Sequence, residues 1–193
     1  MRKANNIQTL QNYFLIATPA MAGSFWEDAV IYICEHDQHE GTMGIMINQP
    51  AQDVTFDEIT KDMAIPSSKY NQAPIILTGG PVEVNRGFIL HDDGYSHEST
   101  LDLAPHIHLT ATTEIVGKIA QGKAPENLNF CLGYAGWDAG QLEDEIAENS
   151  WLMMEAEPDI MYKTPVTERH QACLARLGID ADASRMSAIA GHA

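Results

Sequence analysis

The chain has 193 residues, with 11 basic and 27 acidic side chains and a formal net charge of −16 at pH 7. This length is enough for one domain whose buried core needs neither a metal nor a disulfide for stability. Proteins bind nucleic acids and anionic lipids largely through Lys and Arg. A negative charge spread along the whole chain therefore disfavours direct binding to either.

The cysteines and the N-terminal segment both indicate a cytoplasmic protein. Cys34, Cys131 and Cys173 are widely spaced among apolar neighbours, a pattern typical of reduced core thiols rather than of a disulfide framework. Residues 13–22 are apolar and end in a small-residue sequence that resembles a signal-peptide cleavage site. That run is short and is interrupted by a proline, so we interpret residues 13–17 as a first strand that is retained. No apolar run is long enough to span a membrane.

The predicted elements mix hairpins with crossover helices. Runs of β-branched and aromatic residues predict strands at residues 13–17, 29–35, 42–48, 74–78, 87–90, 106–109, 128–132 and 159–162, and a further strand from Trp151. Apolar residues at helical spacing predict helices at residues 55–64, 112–121 and 141–148, and a last helix that opens at Thr164 and Pro165 and closes at Gly178. We expect a mobile polar segment at residues 67–72 and a frayed tail from about residue 179.

This order of elements predicts an α/β (α+β) fold in a single domain, residues 1–193, with a mixed β-sheet or barrel-like β core and flanking helices. Two helix starts also carry capping signals. Thr55 with Glu58, and Asp138 with Gln141, have the spacing of a capping box. Thr55 and Asp138 are therefore predicted to be N-caps.

The commonest catalytic and nucleotide-binding motifs are absent from the sequence. It contains no GxSxG, HExxH, CxxC, GxxxxGK[ST] or GxGxxG pattern. Most hydrolase, zinc-enzyme and nucleotide-dependent classes lose support, and we predict no catalytic residue, no metal site and no cofactor. Three groups of residues remain as candidates for binding.

The first group lies at predicted strand ends. Glu35 and His36, with His39 beyond them, end one predicted strand, and His91 ends another. A metal site needs three or four converging ligands with a supporting second shell, and this group is too loose to predict one. Such residues more often cap strands in solvent.

The second group surrounds the paired glycines. Gly79 and Gly80 would let the backbone approach a ligand closely, and Arg86 could bind a carboxylate or a phosphate. Pro81 has no amide donor, however, and a tight turn with Arg86 paired to a carboxylate explains the segment about as well. The candidate ligand-binding residues from both groups are Glu35, His36, Gly79, Gly80, Arg86 and His91.

The third group is aromatic. Tyr134 and Trp137 lie beside small residues and could form a stacking wall for a planar ligand. Aromatic side chains next to glycines more often fill core space that the glycines vacate. We therefore predict core packing for this pair.

Several segments resemble the AlgH/YqgE family of bacterial proteins. They are FLIATPAM (14–21), VIYICEH (30–36), GIMINQP (44–50), GGPV (79–82), RGFILH (86–91) and LGYAGWDAGQLEDEIAENSWL (132–152). The segments occur in the family's order and cover most of residues 13–162. The sequence departs from the family at Gly23, Ala29 and Gln49, where the family usually has an acidic residue, a serine and a basic residue.

The resemblance implies a compact β-rich core with flanking helices, and it implies no established reaction and no catalytic residues. One member's name links it to the regulation of alginate synthesis, and members are often labelled transcriptional regulators. Our hypothesis is a non-enzymatic cytoplasmic regulatory or binding protein that acts through a protein partner or a small ligand and does not bind DNA directly. The alternative is an enzyme or ligand-binding protein in which Glu35, His36, Arg86 and His91 converge in one pocket.

The net charge generates a first prediction. The protein should give no mobility shift with duplex DNA at physiological salt, because even ordinary non-specific binders reach only about 10⁻⁴ to 10⁻⁶ M and this chain must first overcome repulsion. The measurement is an electrophoretic mobility assay over a salt series. A salt-sensitive shift at sub-micromolar protein would reveal a basic surface that contradicts the charge argument.

Overall fold

The structure is a computed structural model that describes residues 9–66 and 73–179. The predicted mobile segment at residues 67–72 and nearly all of the predicted frayed tail lie outside these described residues. All three cysteines are buried and free, as the sequence predicts. None of the described helices combines the length and the apolar character needed to cross a membrane.

Nine strands of the described residues form one curled sheet. They are β1 (Tyr13–Ala17), β2 (Val30–Asp37), β3 (Gly41–Met46), β4 (Ile76–Thr78), β5 (Val82–His91), β6 (Leu101–Ala104), β7 (Ile107–Thr110), β8 (Leu128–Trp137) and β9 (Trp151–Glu155). Neighbouring strands follow the antiparallel order β6-β7-β5-β8-β3-β2-β1-β9, whereas β4 pairs with β8 in parallel. This sheet curls into a half-barrel and, with its flanking helices, confirms the predicted fold class.

Short helices flank this sheet. The described α-helices are α1 (Phe56–Asp62), α2 (Thr113–Ala120), α3 (Gln141–Ala147) and α4 (Arg169–Arg176). Two 3-10 helices span Pro19–Met21 and Val166–Glu168, and a π-helix spans Asp159–Lys163. Because successive side chains of a strand point to opposite faces, one strand can contribute side chains to two hydrophobic cores. In β1, Phe14 and Ile16 pack in the same core as residues of α4, whereas Leu15 packs in the core of α3.

Strand β8 joins the two halves of the sheet. Its first half pairs with β5 on one side and with β4 on the other, for example Phe130 with Ile89 and with Ile76. Its last residues pair with β3, as in the partners Ala135 and Gly44. The neighbour of β8 therefore changes from β4 to β3 part-way along the strand.

Glycines make that change of partner possible. The amide of Gly79 donates to the carbonyl of Leu132 at 2.7 Å, and its own carbonyl accepts from the amide of Met46 at 2.8 Å. A Cβ on Gly79 would lie 2.2 Å from the carbonyl oxygen of Gly133, and a Cβ on Gly80 would lie 2.1 Å from the carbonyl carbon of Tyr134. No real Cβ tolerates such distances to backbone atoms, so only glycine fits at either position.

The observed strands differ from the sequence predictions at four places. Residues 159–162 were predicted as a strand but form the π-helix, in which Ile160 and Met161 are both buried and an ion pair joins Lys163 to Asp159 at 2.7 Å. Two consecutive buried residues fit a helical turn better than an alternating strand, and a short apolar run does not distinguish the two. The sequence does not predict β6, and β5 begins five residues earlier than predicted. Strand β8 continues to Trp137, whereas the predicted strand ends at residue 132.

The capping predictions have opposite outcomes. The capping box of α1 is complete, with Thr55 accepting from the amide of Glu58 at 3.3 Å and Glu58 accepting from the amide of Thr55 at 2.9 Å. The prediction of Asp138 as N-cap of α3 is wrong, because the chain makes one more turn and Gly140 holds that position in a left-handed conformation. Only the Gln141 side chain forms its half of the box, accepting from the amide of Asp138 at 3.1 Å.

Replacement of Gly80 by Ala should destabilise the protein by about 3 kcal/mol or more, because a Cβ there collides with backbone rather than with a movable side chain. The matched control is Gly117→Ala in α2, where a Cβ meets nothing within 4 Å. That change should leave the protein as stable or raise the free energy of unfolding by up to about 1 kcal/mol through helix propensity. Urea unfolding measures both variants, and equal stability of the two would disprove the close contact.

Candidate functional site

His36 is a structural connector at the end of β2. Its Nδ1 accepts from the amide of Leu10 at 3.2 Å, and its Nε2 lies 3.0 Å from a carboxylate oxygen of Glu143. The side chain is only 2% exposed. It therefore ties the start of the described chain to α3, while the neighbouring Glu35 and the nearby His39 are exposed.

Both ring nitrogens of His91 also have hydrogen-bond partners within the protein. The residue is completely buried, its Nδ1 donates to the carbonyl of Asp92 at 2.7 Å, and its Nε2 accepts from the hydroxyl of Thr110 at 2.9 Å. Burial lowers the pKa of His91, because the charged ring would lose its hydration. A neutral imidazole satisfies both partners, so the residue holds the ends of β5 and β7 together.

A surface cluster of histidines and carboxylates was not identified from the sequence. The ring of His108 lies 2.8 Å from Asp93 and 2.7 Å from Asp102, and His106 contacts the other oxygen of Asp93. Burial alone would lower the pKa of His108, but its hydrogen bonds to the two carboxylates outweigh that effect and raise it. No group of three or more His, Cys, Asp or Glu side chains in the described residues has the geometry to hold a metal ion.

Arg86 projects from a bulge in β5. Val82 pairs with Tyr134 and Gly87 pairs with Leu132, so four residues of β5 lie opposite Gly133 alone. The bulge lifts Arg86 into solvent, where its Nη1 lies 2.9 Å from Glu83 and the pair is 56% and 47% exposed. The guanidinium also lies 5.1 Å from the centroid of the Phe88 ring, which gives it an apolar support.

Two cavities meet at Arg86, and we call them together the Arg86 groove. One has a volume of about 520 Å³ and lies between β5, β8, α1 and the start of α2; the other, of about 380 Å³, is bordered by β3, β5, β6, β7 and β8. The residues that line both are Arg86, Ala111 and Thr112. The remaining walls are mainly apolar and include Ile59, Val116, Phe130, Phe88, Leu109 and Tyr134.

Exposed apolar side chains border the groove. Met63 lines one cavity and is 37% exposed, and Leu101 lines the other and is 57% exposed. Val84, in the bulge beside Arg86, is exposed as well. Neither cavity has Glu35, His36 or His91 in its wall. The structure thus does not bring Glu35, His36 and His91 together with Arg86 in the groove, and Arg86 is the candidate residue that lines it.

A second site was not found from the sequence. Arg169, the first residue of α4, is 4% exposed, and its guanidinium donates to the carbonyls of Thr164 and Ile47 and to the side chain of Asn129. It borders a separate cavity of about 660 Å³ together with Tyr162. The available sequence signal was weak: Arg169 lies four residues before the buried Cys173, on the apolar side of the predicted last helix.

The aromatic group is divided between core and groove. Trp137 is buried, and its indole nitrogen donates to Glu145 at 2.9 Å. Trp151 donates to the same carboxylate oxygen at 2.8 Å, and both rings contact Trp26. Trp137 is thus a packing residue, as predicted, whereas Tyr134 packs edge-on against Phe88 in the wall of the groove.

Comparison with known proteins gives the family. A model described as AlgH-like matches residues 14–182. The chain belongs to the AlgH-like family. A UPF0301 protein of Saccharophagus degradans is 42% identical over 190 residues, which covers 98% of this chain and 92% of that protein. A UPF0301 protein of Pseudoalteromonas translucida is 40% identical over 189 residues, which covers 97% of this chain and 100% of that protein.

Two solved structures are similar to this one in fold. The solution structure of the AlgH protein from Pseudomonas aeruginosa is 38% identical, with a TM-score of 0.77 over 93% of this chain and 94% of that one. A crystal structure of a Corynebacterium diphtheriae protein is 21% identical, with a TM-score of 0.66 and 86% coverage of each chain. The second similarity, at this identity, shows the fold alone.

The packing role of Trp137 can be tested by comparing it with two exposed residues, Asp138 and Arg86. Trp137→Ala should lower the free energy of unfolding by about 3 to 5 kcal/mol, the usual loss when a buried aromatic site is emptied. Asp138→Ala, at an exposed neighbour that does not cap α3, and Arg86→Ala should each change it by no more than about 0.5 kcal/mol. Urea unfolding of the three variants tests this order, and a Trp137→Ala protein as stable as the parent would show that the indole does not support the core.

Proposed function

We propose that this AlgH-like chain is a non-enzymatic cytoplasmic regulatory or binding protein that receives an apolar ligand, or an apolar segment of a protein partner, in the Arg86 groove. The observation that carries the proposal is the meeting of two largely apolar cavities at one exposed arginine. Binding sites for small molecules typically combine such walls with a few polar groups that fix orientation.

The state of Arg86 supports binding of a ligand with an anionic end. Its present partner, Glu83, is itself about half exposed, and exposed ion pairs of this kind contribute little free energy. An incoming carboxylate or sulfonate can therefore replace Glu83 at small cost. The ring of Phe88 beneath the guanidinium limits the positions that Arg86 adopts and keeps it beside the cavities.

The histidines favour binding over acid–base catalysis. A general base needs a ring nitrogen that faces a bound substrate. Both ring nitrogens of His36 and of His91 already have protein partners, and neither residue lines the groove. Their contacts explain them as connectors between elements of the fold.

The net charge narrows the class of partner. At −16, the chain repels nucleic acids and attracts basic surfaces. Regulation through a protein partner or a small ligand is consistent with this field, whereas direct contact with DNA is not. The groove then supplies the specific apolar contacts, and the negative electrostatic field of the whole protein disfavours polyanions.

Two dyes that differ by one sulfonate test the proposal. Anilinonaphthalene sulfonate and its uncharged analogue phenylnaphthylamine should both gain fluorescence in the groove, because its walls are apolar. Arg86→Ala should weaken binding of the sulfonate roughly five- to tenfold, because it removes an interaction of about 1 kcal/mol or slightly more, and should leave the uncharged dye unchanged. Titrations followed by fluorescence give the dissociation constants.

The matched control is Arg176→Ala, since Arg176 is an exposed arginine paired with Glu157 at 3.1 Å in another part of the molecule. This variant should bind both dyes as the parent does. Amide chemical-shift changes of the labelled parent should cluster at Arg86, Thr112 and Leu101. The proposal fails if neither dye binds, or if Arg86→Ala and Arg176→Ala weaken the sulfonate equally.

A further inference from the structure

Among the residues that the structure describes, Arg169 is a buried cation without a countercharge. Burial lowers its pKa to about 10, so its guanidinium is still protonated at neutral pH. None of the ion pairs within 4.0 Å in the described residues includes Arg169. A buried charge that lacks an opposite charge is costly, and buried arginines are therefore usually paired with carboxylates.

The neighbouring titratable groups do not supply the missing negative charge. Burial raises the pKa of the Cys131 and Cys173 thiols to about 12, so both are neutral at physiological pH. Burial likewise raises the pKa of the Tyr162 hydroxyl. The three acceptors on Arg169, which are two backbone carbonyls and the amide oxygen of Asn129, are all uncharged.

One edge of the guanidinium remains available. The bonds to Thr164, Ile47 and Asn129 use Nε and Nη1, at 3.1, 2.5 and 2.8 Å. Within the described part of the chain, Nη2 has no hydrogen-bond partner, and it is not among the fully enclosed atoms that lack one. Arg169 lines the cavity of about 660 Å³, and Nη2 keeps some accessible surface.

A second polar group at the same cavity is unsatisfied. The hydroxyl of Tyr162 is fully buried and has no hydrogen-bond partner among the described residues. Leaving such a group unpaired destabilises the folded protein. Tyr162 lines the cavity together with Arg169, and each lies close enough to affect the pKa of the other. Both side chains line this cavity, and each has a donor without an acceptor among the described residues.

The remaining walls include several apolar side chains. Among them are Pro74, Ile75, Leu77, Ile119 and Leu128, and Ile75 is 57% exposed. The volume is within the range of small-molecule sites, roughly 300 to 1,000 Å³. Glu126 is the one acid among the described lining residues, and it is exposed. Its charge is therefore screened by solvent far more than the charge of Arg169.

We infer that this cavity binds a small monocarboxylate with an apolar body, whose carboxylate accepts hydrogen bonds from Arg169 and from the Tyr162 hydroxyl. A single negative charge neutralises the single buried positive charge, whereas a phosphate dianion would leave excess negative charge inside an already acidic protein. The apolar body lies against the proline, isoleucine and leucine walls. This site shares no lining residue with the Arg86 groove and does not depend on the function proposed for it.

The test uses octanoate, with octanamide as an uncharged control of the same chain length, acetate as a carboxylate without the apolar body, and inorganic phosphate. Octanoate should raise the thermal unfolding midpoint with increasing concentration by mass action, and calorimetry should give its dissociation constant. Octanamide, acetate and phosphate should have much smaller effects. A shift with phosphate alone, or equal shifts with octanoate and octanamide, would overturn the inference.

Variants locate the binding site. Tyr162→Phe should weaken octanoate binding roughly tenfold, the usual loss of a hydrogen bond to a charged group, and should leave the midpoint of the free protein unchanged or higher because the unpaired hydroxyl is gone. Arg169→Met should abolish the octanoate binding that remains in an Arg86→Ala background. If Arg169→Met does not fold, the octanoate affinity of the Tyr162→Phe variant alone tests the inference.

The two sites are separated in an Arg86→Ala background, because octanoate also carries the anionic end that the Arg86 groove is proposed to bind. Arg86→Ala should still bind octanoate, and adding Tyr162→Phe to it should weaken that binding roughly tenfold. The matched control adds Arg176→Ala instead, which removes an exposed arginine outside both sites and should leave the affinity unchanged. Loss of all octanoate binding in Arg86→Ala would overturn the inference, as would an unchanged affinity when Tyr162→Phe is added. In the former case the fatty acid occupies the groove, and the function proposed above stands without this second site.

Discussion

The backbone contact between Gly79–Gly80 and Gly133–Tyr134 is the constraint on which the rest of the structure depends. At this point β8 leaves β4 and begins to pair with β3, and the two segments approach too closely for any side chain. The same contact shapes the binding surface. A Cβ on Gly133 would lie 2.8 Å from the carbonyl of Val82 and 3.3 Å from Val84, so the bulge that exposes Arg86 also requires this glycine.

The two proposed sites lie at opposite ends of α2 and differ in their electrostatics. Thr112, Thr113 and Val116 border the groove, whereas Ile119 borders the second cavity. Arg86 is exposed, so water and salt screen its attraction for an anion. Arg169 is buried, and a charge in a low-dielectric site interacts more strongly with a bound counterion. An anion should therefore be held more loosely in the groove and more specifically at Arg169.

Part of the acidic excess is structural rather than a solvated surface. Glu145 accepts from the indoles of Trp137 and Trp151, and Glu143 binds the buried ring of His36. These carboxylates of α3 fix the helix on the core instead of facing solvent alone. Histidines have a similar role, since His91 and His36 connect elements through both ring nitrogens. Glutamates and histidines often indicate catalysis or ligand binding, but these four residues hold elements of the fold together.

The sequence by itself determined the elements whose local signals are strong and agree with one another. β1, the hairpin of β2 and β3, α2 and the complete capping box of α1 follow from periodicity and capping within a few residues. Local signals failed where they were short or ambiguous. The apolar run at residues 159–162 became a π-helix, and a capping spacing at Asp138 was displaced by one extra turn before α3.

Only the tertiary structure decided which polar residues share a site. Arg169 contacts Ile47, 122 positions away, and Asn129, 40 positions away, so no local pattern could have connected them. His36 and Arg86 are both candidates in the sequence, yet His36 is enclosed by its partners and Arg86 lies in a groove. Hydrophobic periodicity depends on residues that are neighbours along the chain. A binding site depends instead on burial and on contacts between distant segments, and only the folded chain brings those segments together.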